Sequence, residues 1–156
     1  MWQRIVVLAL GFGLWGSLAL ANDAPWGTAE AVPIEYSKQK VVYDLFGKAS
    51  KIERILDRAS LISVLNDADP FDSSVVIVIH GESIPHFATK NFAANRALMA
   101  RAQSLSVGEV VKFRLCGAAA RMRGYQPEDF HGFIEVVPMA DAEIVRLQQQ
   151  GYAYMQ

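Results

Sequence analysis

The run SVVIVIHG, residues 74 to 81, constrains this chain more than any other stretch. Five consecutive apolar positions, Val75 to Ile79, do not alternate with polar ones. A strand with one face in water alternates; a strand covered on both faces does not. The run therefore predicts a central strand of a parallel sheet, with helices above and below it. Its flanks agree. KVVYDLF (40–46), EVVKFRL (109–115) and GFIEVVP (132–138) are β-branched and aromatic runs of strand length. Between the first and second lie Ile52, Ile55, Leu56, Ala59, Ile62 and Leu65 at helical spacing, opposite a charged face of Lys51, Glu53, Arg54, Asp57 and Arg58. Residues 90–105 repeat that pattern with Ala, Leu and Met. CGAAARM opens a third helix. Asp141 to Gln150 forms a fourth, with Gly151 as the residue just past its end. GYAYM (151–155) reads as a short last strand, and GESIPHF (81–87) as a loop. Strands that alternate with helices predict an α/β fold: three layers, αβα, around a mostly parallel sheet of about five strands.

Not all 156 residues belong to that fold. Arg4 and the uncharged stretch Ile5–Leu18 make the charged and apolar parts of an export leader, and Ala19-Leu20-Ala21 supplies the small residues of a cleavage site. Residues 1–21 are expected to be a signal peptide, with retention as a membrane anchor the alternative. Residues 22–39, with Pro25, Gly27 and Pro33 and no periodicity, read as an arm or linker. Residues 40–156 are the folded domain. The leader predicts an exported protein, periplasmic where the source has an outer membrane, with no stable membrane association after cleavage. Without Arg4, fourteen Lys and Arg face sixteen Asp and Glu, a formal charge of −2. That balance makes no electrostatic case for nucleic acid.

Export leads to an oxidising compartment, where structural cysteines come in pairs. This chain has one, Cys116. It cannot close an internal disulfide, so it is either a reactive thiol or a small buried hydrophobe. Its place favours the first. In parallel α/β sheets ligands bind outside the carboxyl ends of the strands. Those ends present Phe46-Gly47, His80-Gly81-Glu82 and Cys116-Gly117. Cys116 closes a strand and opens a helix, where free backbone N–H groups and the helix dipole favour a thiolate. Gly117 leaves room beside the sulfur. Arg114 shares a strand face with Cys116, and Arg121 and Arg123 follow within two helical turns. His80 is a candidate acid or base beside the thiol, with Gly81 next to it. His86 is expected in an exposed loop, and His131 is expected to be structural.

Other chemistries lack their motifs. One Cys and three scattered His do not make a zinc site, so no metal is expected. Neither phosphate-binding glycine pattern follows a strand, and there is no G-x-S-x-G elbow, so no cofactor is expected. Cys116 to Arg121 spells C-x-x-x-x-R, the spacing of the rhodanese active loop, but Ala118, Ala119 and Ala120 favour a helix over a cradle.

The strand VVYDLF, the IHG ending of the second strand, the segment FRLCGAAARMRGY and the tail FIEVVPMADAEIVRLQQQGYAYM, in that order, resemble the DsrE/DsrF-like family of small sulfur-relay proteins. The resemblance covers residues 40 to 156. It implies a three-layer α/β fold and assembly into homotrimers or homohexamers. It also implies a persulfide on Cys116 that passes between sulfur donor and acceptor thiols or proteins. The best-understood relatives are cytoplasmic, and the leader here departs from them. Two other readings stay open: a non-catalytic oligomeric binding module with Cys116 buried, and a thiol redox sensor.

Overall fold

A computed structural model describes residues 25–69 and 74–156. The expected leader and residues 70–73 lie outside the described residues. The chain divides into two units at Ile34/Glu35. The described part of the first, residues 25–34, contains no helix or strand, and its side chains are exposed. The second holds the sheet.

The elements alternate: β1 (Val41–Phe46), α1 (Ala49–Leu65), β2 (Val75–His80), α2 (Phe92–Ser106), β3 (Val111–Cys116), α3 (Gly117–Met122), β4 (Ile134–Val137), α4 (Ala140–Gln149) and β5 (Ala153–Met155). The sheet order is β4-β3-β2-β1-β5, and every neighbouring pair is parallel. The unalternated run is its central strand: Val75 through Ile79 are at most 1 % exposed. Each such side chain contributes about 1.5–3 kcal/mol by leaving water, which is what makes that strand the axis of the fold.

The pleat sorts residues between two cores. One face carries Val41, Tyr43 and Leu45 with Val75, Ile77 and Ile79 and with Phe113 and Leu115. It packs on Ile52, Ile55 and Leu56 of α1 and Met99 and Ala102 of α2. The other carries Val42, Val76, Val78 and Cys116 and packs on Ala140, Ile144 and Leu147 of α4. These are the three layers that the alternation of elements predicts. α4 ends in a Schellman turn: the N–H of Gly151 bonds the carbonyl of Gln148, and that of Tyr152 the carbonyl of Leu147. Gly151 takes φ +87°, as that turn requires, and the chain swings back as β5 beside β1.

Two local expectations need correction. GESIPHF is not an open loop: Gly81–Phe87 winds as 3-10 helix, with Ser83, Ile84 and Phe87 buried under the sheet edge. His86 is not exposed. It is half-buried, and its Nδ1 lies 2.9 Å from Oδ1 of Asn95, where α2 is kinked. Apolar residues inside GESIPHF drive both outcomes, because burying Ile84 and Phe87 pulls the segment inward.

Candidate functional site

Cys116 is the last residue of β3 and the N-cap of α3. An N-cap side chain accepts a hydrogen bond from the N–H two or three residues on, a place usually taken by an oxygen. Here sulfur takes it: Ala119 N–H donates to Sγ at 3.4 Å. A second donor arrives from elsewhere in the chain. Ala140, the first residue of α4, donates its N–H to the same sulfur at 3.3 Å. Both amides belong to first turns, whose N–H groups have no partner within their own helix. Sγ therefore sits between two helix starts, each presenting partial positive charge. The residue is 5 % exposed.

Gly117 is held by crowding. A Cβ there would lie 3.0 Å from the Val137 carbonyl oxygen, 3.2 Å from Val136 Cγ1 and 3.3 Å from Nη1 of Arg121. The last distance also places Arg121, whose guanidinium folds back over the step that follows the cysteine. Arg114 shares the strand face with Cys116, as the pleat requires, but its charge is engaged. Nε is 3.0 Å from Oε2 of Glu135, and Nη1 bonds Glu143. Arg146 holds Glu143 as well, through two contacts of 2.8 and 2.7 Å. Those guanidinium groups, Arg146 first, hold the Glu143 carboxyl below the usual carboxylate range against the opposing effect of its burial. Arg123 bonds the Ala119 carbonyl.

His80 closes β2 on the same face of the sheet. Ile79 pairs with Leu115, so His80 and Cys116 continue that register by one residue on adjacent strands, about 4.8 Å apart in backbone spacing. His80 Nε2 is 2.5 Å from Oδ1 of Asp44. The other carboxylate oxygen accepts from the Tyr154 hydroxyl at 2.6 Å, and that hydroxyl accepts from Nε2 of Gln156 at 2.7 Å. The ring of Phe46 lies 5.4 Å from the imidazole. Gly81 makes this possible. It has φ +57°, and a Cβ would fall 2.0 Å from the Phe46 ring. Ser83, fully buried, donates to the Gly47 carbonyl and accepts from the Gly47 N–H, tying the turn after β1 to the turn after β2. Phe46 and Met139 leave about half their surface in solvent at this edge.

The fold thus gathers Cys116, His80, Gly81, Gly117 and Arg121 at the carboxyl edge of the sheet, while Arg114 stands beneath them in a network of carboxylates. Three contributors escape a reading of the sequence. Ala140 acts through its backbone, which no side-chain pattern reports. Tyr154 lies in the tail. Asp44 did leave a signal: a carboxylate inside VVYDLF needs partners if that strand is buried. His131 is stacked on Phe133 at 5.8 Å and edge-on to Phe92 at 5.6 Å; it precedes the amino end of β4, whereas Cys116 lies at the carboxyl end of the neighbouring β3. Among the described residues no group of three or more His, Cys, Asp or Glu is placed to hold a metal ion, and no helix is long and apolar enough to cross a membrane.

A three-layer parallel α/β domain with a lone thiol at a strand-to-helix junction defines the class. The chain belongs to the DsrE/DsrF-like family, whose model matches residues 40–156. Among solved structures it is similar to MTH1491, a protein of unknown function from Methanobacterium thermoautotrophicum. The identity is 20 %, over 75 % of this chain and 97 % of that one, with a TM-score of 0.49. No curated protein matches.

Proposed function

We propose that the protein is a sulfur carrier that holds sulfane sulfur as a persulfide on Cys116. One observation carries the reading. Sγ accepts two backbone N–H bonds from the starts of two helices, an arrangement that stabilises negative charge on sulfur without a metal or a buried cation. Family membership, associated with sulfur relay, supports it independently. Arg121 adds positive charge beside Gly117, where an anionic donor would approach. The partners are donor and acceptor thiols or proteins of the compartment the leader selects. We place that compartment outside the cytoplasm on the strength of the leader alone; a mature protein from the cell envelope whose N-terminus is not Asn22 would refute the cleavage.

The test is cyanolysis after loading with polysulfide. Wild type is expected to release about one thiocyanate per chain, because cyanide removes sulfane sulfur from a persulfide. The Cys116→Ala variant is expected to release none, and equal release from both would end the reading.

Burial of Cys116 favours a second reading, an oligomeric binding module in which the thiol is a packing residue. Alkylation of the native thiol separates the two: labelling that begins only on denaturation supports packing. The same burial counts against a sensor that forms disulfides between chains. We further propose a homotrimer or homohexamer. Its support is the family together with an open apolar groove of about 490 Å³ lined by Phe92, Met99 and Phe133. Light scattering that returns a monomer mass would exclude it.

A further inference from the structure

We propose that Asp44 and Tyr154 are positioning residues for His80, fixing its ring proton on Nε2 and leaving Nδ1 as the proton acceptor for the sulfur step. The chemistry rests on the carrier reading above; the geometry does not.

Asp44 stands on a strand whose neighbours Tyr43 and Leu45 are fully buried. Its carboxylate has two oxygens and a partner for each: His80 Nε2 at 2.5 Å and the Tyr154 hydroxyl at 2.6 Å. An ionised carboxylate only accepts, so Nε2 must carry the hydrogen. A neutral imidazole has one N–H, which makes Nδ1 the acceptor. Nδ1 has no hydrogen-bond partner among the described residues. Tyr154 reaches Asp44 because β5 pairs with β1 at Val42↔Tyr154. Arg58 steadies the end of the tail by bonding the Gln156 carbonyl. The hydrogen bond to Asp44 raises the Tyr154 hydroxyl above its usual range, so it stays a donor. Phe46, seated on Gly81, limits the ring from its face. The last strand thus completes the site at its other end.

The step balances without an outside oxidant. The Cys116 thiol gives its proton to Nδ1. The sulfur electron pair attacks the outer sulfur of a hydropersulfide, R–S–SH. The bond from Sγ to that sulfur forms, the donor's S–S bond breaks, and its electron pair leaves on R–S⁻, which takes the proton back from the imidazolium. Products are Cys116–S–SH and R–SH. The sulfane sulfur changes carrier, and nothing else is oxidised or reduced.

The test joins a spectrum and a rate on the full mature chain. Long-range proton–nitrogen correlation on isotope-labelled protein, without donor, is expected to show His80 as the Nε2–H tautomer. In Asp44→Asn, Tyr154 still donates to the amide oxygen, so the NH₂ group faces Nε2 and the proton moves to Nδ1. Sulfur loading of Cys116 then falls on the order of 100-fold. Tyr154→Phe keeps the tautomer and slows loading roughly 2- to 10-fold. A wild-type proton on Nδ1, or an unchanged tautomer in folded Asp44→Asn, overturns the proposal. The wild-type spectrum needs no variant to fold. A wild type that takes up no sulfur sinks the carrier reading, while the spectrum still decides the positioning claim.

Discussion

At the scale of single residues, the site depends on two glycines and a sulfur. Gly81 combines a left-handed backbone with a ring lying where its Cβ would be. Gly81→Ala is therefore strained twice, in φ and by the Phe46 contact. We expect a loss of about 1–3 kcal/mol in urea unfolding, together with a slower loading rate as Phe46 and His80 shift. Unchanged stability would mean that neither the backbone strain nor the Phe46 contact carries a cost. Some of this scale could be read in advance. Cys116 stood out because it is the single cysteine of a chain whose leader predicts export and because strand and helix signals met at it. Gly81 stood out only as the glycine after a histidine; its function as a seat for Phe46 depends on a contact 35 positions away in the chain. Asp44 could have been found by asking what a carboxylate does in a buried strand.

At the scale of elements, the central strand needed no tertiary information, since a run without alternation has one solution in a sheet. The Schellman end of α4 was equally legible, because Gly151 follows the last helical residues. Gly81–Phe87 was not, because Gly81 and Pro85 are turn residues and only the burial of Ile84 and Phe87 winds the segment. Nor was the meeting of α4 with Cys116: the amide of Ala140 reaches Sγ from 24 residues away, and a backbone donor leaves no mark in sequence. Between β3 and α4 lies the network of Arg114, Glu135, Glu143 and Arg146. The Glu143 carboxyl is held below its ordinary value of 4.5. Its contribution is therefore fully present above about pH 4.5 and is lost as the pH falls through the lowered folded value. Glu143→Gln is expected to cost roughly 1–3 kcal/mol at pH 7. Its urea midpoint should converge on that of wild type as the pH falls through the lowered folded value. A gap that stays constant with pH would show that the ion pairs contribute nothing beyond packing.

At the scale of the whole molecule, the order β4-β3-β2-β1-β5 explains why chemistry collects at one edge. All five strands are parallel, so all their carboxyl ends share that edge. The central pair β2 and β3 delivers His80 and Cys116, and β1 with its neighbour β5 delivers Asp44 and Tyr154. The strand-to-helix alternation was visible in the sequence; the placing of β5 beside β1 was not, because a three-residue strand carries too little pattern to choose a neighbour. The family match over residues 40–156 agrees with this architecture. The most direct measurement is the intact mass of the purified protein after exposure to polysulfide, with Cys116→Ser treated alongside. The account predicts a gain of one sulfur atom on wild type alone, reversed by a thiol reductant. No gain on wild type with Cys116 reduced, or an equal gain on the variant, would contradict it.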